Sequence, residues 1–258
     1  GRGFVLGSSD AAPPEDEVVP EGPPPRYPPI GVSAPLLSLS RLVDAPWSSP
    51  TAPGAFATSV IADRHAGTSS VQGVVRGSGG VGRVGFDASL ATSATGERSA
   101  DDAAWLGLRV RTVRLGLSEL EHGLGVRVGL PATPTGAATR IEPSTSLGGV
   151  SGRASWLVTA GARLRAEDTE ARASVPAAQG FVTAGATYEP TPLVRGYALV
   201  DAHVLGKQAD DPTRGRAGVT VGAEAGARVF GGLAARVSPW SDVAAPVSVQ
   251  LAIGYRAP

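Results

Sequence analysis

From Gly54 onward the chain alternates apolar and polar residues with a period of two, and this pattern restricts the fold more than any other feature. In 153–165 the even positions are Ala154, Trp156, Val158, Ala160, Ala162 and Leu164, while the odd positions are polar or glycine with Leu157 as the exception. In 246–256 Val247, Val249, Leu251, Ile253 and Tyr255 oppose Ser248, Gln250, Ala252, Gly254 and Arg256. Val219, Val221 and Ala223 likewise oppose Thr220, Gly222 and Glu224. Successive strand side chains point to opposite faces, so each segment is a strand with one apolar face. Helical spacing is not sustained anywhere.

The alternation predicts strands at 54–62, 69–77, 80–91, 104–116, 122–131, 139–149, 153–165, 180–188, 193–204, 214–229, 232–238 and 246–256. Tight turns are expected at Gly79-Gly80, Val150-Ser151-Gly152, Glu189-Pro190-Thr191-Pro192 and Phe230-Gly231, where the residues tolerate or preset turn geometry. Longer polar loops fall at 92–103, 132–138, 166–178, 205–213 and 239–245, with an intermediate loop at 63–68 and a turn at Leu117–Glu121. Short and long connections in alternation describe an up-and-down antiparallel barrel of about 12 strands (range about 10–14) with turns at one rim and loops at the other. An even count places both ends of the barrel at the turn rim.

A soluble sandwich also has one apolar face per strand, and three features favour a transmembrane barrel instead. The polar face is rich in glycine and arginine, with Arg83, Arg109, Arg111, Arg127, Arg153, Arg163, Arg195, Arg216, Arg228 and Arg236 directed into a lumen together with Asp87, Asp201, His203 and Glu224. Glycine there permits curvature and leaves lumen space. The strands have about the length that crosses a bilayer when tilted. The connections suit consecutive hairpins better than Greek keys.

The closing strand, Val247-Ser248-Val249-Gln250-Leu251-Ala252-Ile253-Gly254-Tyr255, is similar to the C-terminal insertion signal of porin-like bacterial outer-membrane β-barrels. Residues 54–258, within a barrel domain taken as 51–258, resemble that class, in particular the glycine- and arginine-rich barrels of GC-rich Gram-negative bacteria. The chain departs from the pattern by continuing Arg256-Ala257-Pro258 after the aromatic residue. The resemblance implies an outer-membrane location with lipid as its surroundings. Trp105, Trp156, Tyr188, Trp240 and Tyr255 are the candidates for the aromatic girdle at the membrane interfaces.

Residues 1–50 differ. Ala12-Pro13-Pro14-Glu15-Asp16-Glu17 and Pro23-Pro24-Pro25-Arg26-Tyr27-Pro28-Pro29 cannot donate a ladder of N–H groups and favour extended, largely disordered chain. This arm is expected at the periplasmic rim, with Pro35-Leu36-Leu37-Ser38-Leu39 as the part that docks on something. No signal peptide opens the sequence, so a mature or trimmed form is expected.

Composition removes other classes. Net charge is zero and the only lysine is Lys207, which gives no global footprint for nucleic acid. Cysteine is absent, so disulfides and thiolate chemistry are excluded. No apolar run approaches the length of a membrane-spanning helix. Asp201, His203 and Arg195 share one strand face, where a general base and a lumen salt-bridge network are both conceivable and the network is favoured. His65 and His122 are placed in loop or turn positions, and scattered histidines of this kind do not make a metal site. Gly77-Ser78-Gly79-Gly80-Val81-Gly82 lacks the helix and lysine of a phosphate loop. No enzyme, cofactor or metal is expected.

Arginines in a lumen keep their charge and attract carboxylate or phosphate. The expected function is a narrow, porin-like channel for small, preferentially anionic solutes. The alternative is a non-transporting barrel that anchors a protein assembly of the envelope or cell surface, such as a motility or adhesion machine, through residues 1–50. A soluble β-sandwich binding module is the second alternative.

Overall fold

The computed structural model describes residues 55–65, 68–81, 83–93, 103–115, 120–131, 139–165, 178–191, 193–205, 214–240 and 247–256. They form twelve strands: β1 (Ala55–His65), β2 (Thr68–Val81), β3 (Val84–Ser93), β4 (Ala103–Leu115), β5 (Leu120–Pro131), β6 (Arg140–Ser151), β7 (Ala154–Arg165), β8 (Ala178–Thr191), β9 (Val194–Leu205), β10 (Arg214–Ala225), β11 (Val229–Trp240) and β12 (Val247–Arg256). Every strand pairs antiparallel with its neighbours in sequence, and β1 pairs with β12 to close the barrel. Closure leaves no strand edge, the condition for a sheet to sit in hydrocarbon.

The two faces decide the environment. Outward side chains are apolar and exposed: Val60 on β1, Leu106 and Leu108 on β4, Val200 on β9, Val221 on β10, and Leu251 at 62% exposure on β12. The inward face is polar and buried, with Gln72, Asp87, Arg127, Glu142, Thr220 and Gln250 among its residues. A soluble barrel or sandwich has the opposite polarity, because a large exposed apolar surface associates in water. The soluble-module alternative is excluded by this inversion. Strands of 10 to 14 residues are long enough for a tilted crossing.

Phe56, Phe86, Trp156, Tyr188 and Tyr255 all point outward near the rim that carries the short turns. They form a band of outward rings at that rim, the residue types that favour a membrane interface. Trp156 lies over Gly149, with its Nε1 3.0 Å from where a Cβ would stand.

Several connections differ from the sequence expectation. Gly79 and Gly80 are not a turn; they pair with Phe86 and Gly85 as β2 runs on to Val81. Phe230-Gly231 lies inside β11, and the chain turns at Gly226–Arg228, where Gly226 has φ +124°, a conformation that favours glycine. The turn expected at 150–152 centres on Gly152-Arg153, with Gly152 at φ +57° and Ser151 paired to Ala154. The 63–68 loop shrinks because β1 reaches His65 and β2 starts at Thr68. His65 and His122 therefore lie on strands, and Leu120 and Glu121 open β5 rather than close a turn.

Candidate functional site: the charged lumen

A ladder row of inward residues crosses four strands: Asp87 on β3 opposite Gly107 on β4, then Arg127 on β5, then Glu142 on β6. Arg109 on β4 and Arg163 on β7 join this row. Asp87 Oδ1 accepts from Arg109 Nη2 at 3.3 Å, and Arg127 Nε lies 3.2 Å from Asp87 Oδ2. Glu142 Oε2 accepts from Arg163 Nε at 2.9 Å and Nη2 at 2.7 Å, while Arg127 Nη1 stands 3.5 Å from Oε1. Trp105 adds its ring face, with the Arg163 and Arg127 guanidinium carbons 4.7 and 5.2 Å from the centroid. Each carboxylate is shared by two guanidinium groups, the geometry that repays desolvation of buried charge. Asp87 is close to the turn end of β3 and Glu142 to the loop end of β6, so the row climbs through the lumen.

A second cluster spans β9 and β11. Arg236 grips Asp201 through both carboxylate oxygens, Nη1 to Oδ1 at 2.5 Å and Nη2 to Oδ2 at 3.0 Å, and donates from Nε to Ser238 Oγ at 2.9 Å. His203 Nε2 lies 3.4 Å from Asp201 Oδ2, and its ring is tilted against Phe181. Asp201 is thus held by an arginine clamp, the salt-bridge arrangement expected from the sequence. Near the turn rim, Arg195 Nε donates to Glu189 Oε1 at 2.6 Å. Glu224 stands opposite Arg195 on the β9–β10 ladder.

Lumen glycines are not empty space. Gly107, Gly125, Gly129, Gly161, Gly222 and Gly254 stand opposite Arg127, Arg109, Trp105, Phe181, Tyr197 and Phe230. A Cβ at Gly125 would lie 2.7 Å from Arg109 Cγ, and one at Gly129 would lie 2.9 Å from the Trp105 ring. Each large side chain therefore lies flat across its glycine partner and against the wall. The expectation that glycine leaves lumen room is corrected: the room is occupied, and it is the glycine that makes it.

Asp87, Arg109, Arg111, Arg127, Arg163, Arg195, Asp201, His203, Glu224 and Arg236 all lie on the inward face. Arg83, Arg153 and Arg228 do not. They sit in the turns and are exposed, because β3 and β7 begin later, and β10 ends earlier, than the alternation suggested. Arg153 instead ties the rim together: its Nη1 donates to Pro190 O at 2.7 Å, and its own carbonyl accepts from Glu189 N at 2.9 Å. Trp105 is corrected from the membrane interface to the lumen, where it pairs with arginine. Backbone pairing places Arg216 opposite His203, and Trp240 ends β11, but both side chains lie outside the described residues.

Sequence reasoning missed Arg76, Arg140, Glu142 and Glu189, and it missed Phe181, Tyr197 and Phe230 as inward residues. The even spacing of Arg140, Glu142, Ser144 and Ser146 carried the signal for two of them. Among the described residues eight arginines face the lumen (76, 109, 111, 127, 140, 163, 195 and 236) against five carboxylates (87, 142, 189, 201 and 224), an excess of three positive charges. In the same residues no group of three or more acidic or histidine side chains is placed to hold a metal.

No protein-family model matches the chain, and no curated protein sequence is similar to it. Solved structures are. The NanC porin superposes with a TM-score of 0.62 at 8% identity, over 79% of this chain and 100% of its own. An outer-membrane channel from Pseudomonas putida F1 superposes with a TM-score of 0.62 at 11% identity, over 86% of this chain and 99% of its own. With polarity inverted, twelve strands closed and these structures alike in their path, the chain has the fold of a porin-like outer-membrane β-barrel.

Proposed function

We propose that the protein is a narrow channel of the outer membrane that favours small anionic solutes. The observation that carries this reading is the excess of three positive charges among the described lumen residues, held on fixed ion-pair lattices rather than on mobile side chains. Guanidinium groups held in place offer an anion paired hydrogen bonds without reorganising. The likeness in fold to a porin and to a channel supports the same reading. Reconstitution into planar bilayers under a potassium chloride gradient tests it. The zero-current potential should have the sign of chloride preference; no conductance, or potassium preference, overturns it.

A second reading is a structural barrel whose first 50 residues recruit a periplasmic or outer-membrane protein. Its motive is the burial of lumen side chains such as Glu142 at 1% and Gln250 at 0% exposure. A silent bilayer together with a protein that co-purifies only when residues 1–50 are present would select it.

A further inference from the structure

The seam where the barrel closes carries a buried apolar patch on its lumen side. Ile61 on β1 stands between Gln250 on β12 and Gln72 on β2 in one ladder row. Ile61 and Gln250 are both 0% exposed, and Val74 with Ala91 completes an apolar patch beside them. The flanking inward residues are polar, Ser59, Arg76 and Ser248 among them. Eight strands make a barrel that side chains just fill, and twelve make a wider one. Ile61, Val74 and Ala91 thus make an apolar patch on a mostly polar lumen wall, the place where an apolar segment entering the barrel would best bury itself.

Three features identify the occupant as the chain's own N-terminal segment. Residues 1–54 contain six carboxylates (Asp10, Glu15, Asp16, Glu17, Glu21, Asp44) and three arginines (Arg2, Arg26, Arg41), a net charge of −3. That complements the excess of three positive charges among the described lumen residues. Next, the segment is tethered at the start of β1, the strand that carries Ile61. Residues 40–54 span up to about 50 Å when extended, whereas Ile61 lies six residues, about 20 Å, along β1 from Ala55. Last, Pro35-Leu36-Leu37-Ser38-Leu39 is an apolar run within that reach.

We infer that the acidic N-terminal arm enters the barrel from the turn rim and lodges in the lumen, with Leu36, Leu37 and Leu39 seated on Ile61, Val74 and Ala91. In the channel proposed above this arm would be a tethered anionic ligand that competes with solute for the arginines. Docking rests on the seam and the charges; only its effect on current rests on the channel reading.

The native chain has no cysteine, so an engineered pair reports docking directly. Leu36→Cys, Leu37→Cys or Leu39→Cys would each be combined with Ile61→Cys on the lumen side, or with Val60→Cys on the outward side as control. Folding is checked by heat-modifiable gel mobility. Under mild oxidation at least one Ile61→Cys pair should form an intramolecular disulfide in the folded protein and the Val60→Cys pairs should not. Folded protein in which no Ile61→Cys pair forms, or in which both sets form equally, overturns docking. In bilayers, removing residues 1–50 should raise single-channel conductance severalfold, and an unchanged, measurable conductance also counts against docking. If neither form conducts, the channel reading fails, and the disulfide result still decides docking.

Discussion

Glu142 is the residue on which the larger ion lattice turns, because it accepts from Arg163 and faces Arg127 while 1% exposed. Glu142→Ala leaves two buried guanidinium groups without their shared acceptor, and a loss of about 3–5 kcal/mol is expected in urea unfolding from lipid vesicles. The glycines make a second prediction with an internal control. Gly222→Val would push a Cβ into the Tyr197 ring and to 2.8 Å from Leu233 O, overpacking that costs about 1–3 kcal/mol. Gly180→Val has nothing within 4 Å on the outward face of β8 and should be neutral or stabilising. At this scale the sequence identified lumen arginines wherever alternation was clean, as at Arg109, Arg127 and Arg163. It misassigned Trp105, because an aromatic residue in a strand reads equally well as a girdle residue or as the partner of a glycine one strand away.

At the level of the strand, the apolar face is set against lipid, and its tolerance of charge depends on depth. Val221, in the middle of β10 and 55% exposed, should lose about 2–4 kcal/mol on Val221→Arg, while Val194→Arg at the first residue of β9 should lose about 0–1 kcal/mol. The same unfolding measurement checks both, and equal losses would contradict the membrane placement. Strand existence was legible throughout, since a period of two is a local property. Strand ends were less so. The Gly-Ser-Gly-Gly run before Val81 reads as a turn, yet Gly79 continues the ladder opposite Phe86. Phe230-Gly231 reads the same way, yet Phe230 packs inward over Gly254. In both places the cross-strand pairing continues through the glycine, and that pairing is invisible along one strand.

For the whole barrel, selectivity should follow the sum of lumen charge. Replacing Arg109 and Arg127 by glutamine removes two of the three excess positive charges among the described lumen residues, so the zero-current potential in a salt gradient should move toward zero. A potential that stays put would show that these arginines do not face the ions. The amino-acid sequence by itself determined that this chain makes about twelve strands, that each has one apolar face, and that the connections alternate in length, because these depend on residues adjacent in the chain. Only the tertiary structure decided which residues meet across the lumen. That depends on closure of β1 onto β12 and on register, and register couples residues that lie tens of positions apart. Asp87 meets Arg127, Glu142 meets Arg163, and Gly129, Gly161 and Gly222 receive the rings of Trp105, Phe181 and Tyr197 through pairings that no single strand contains.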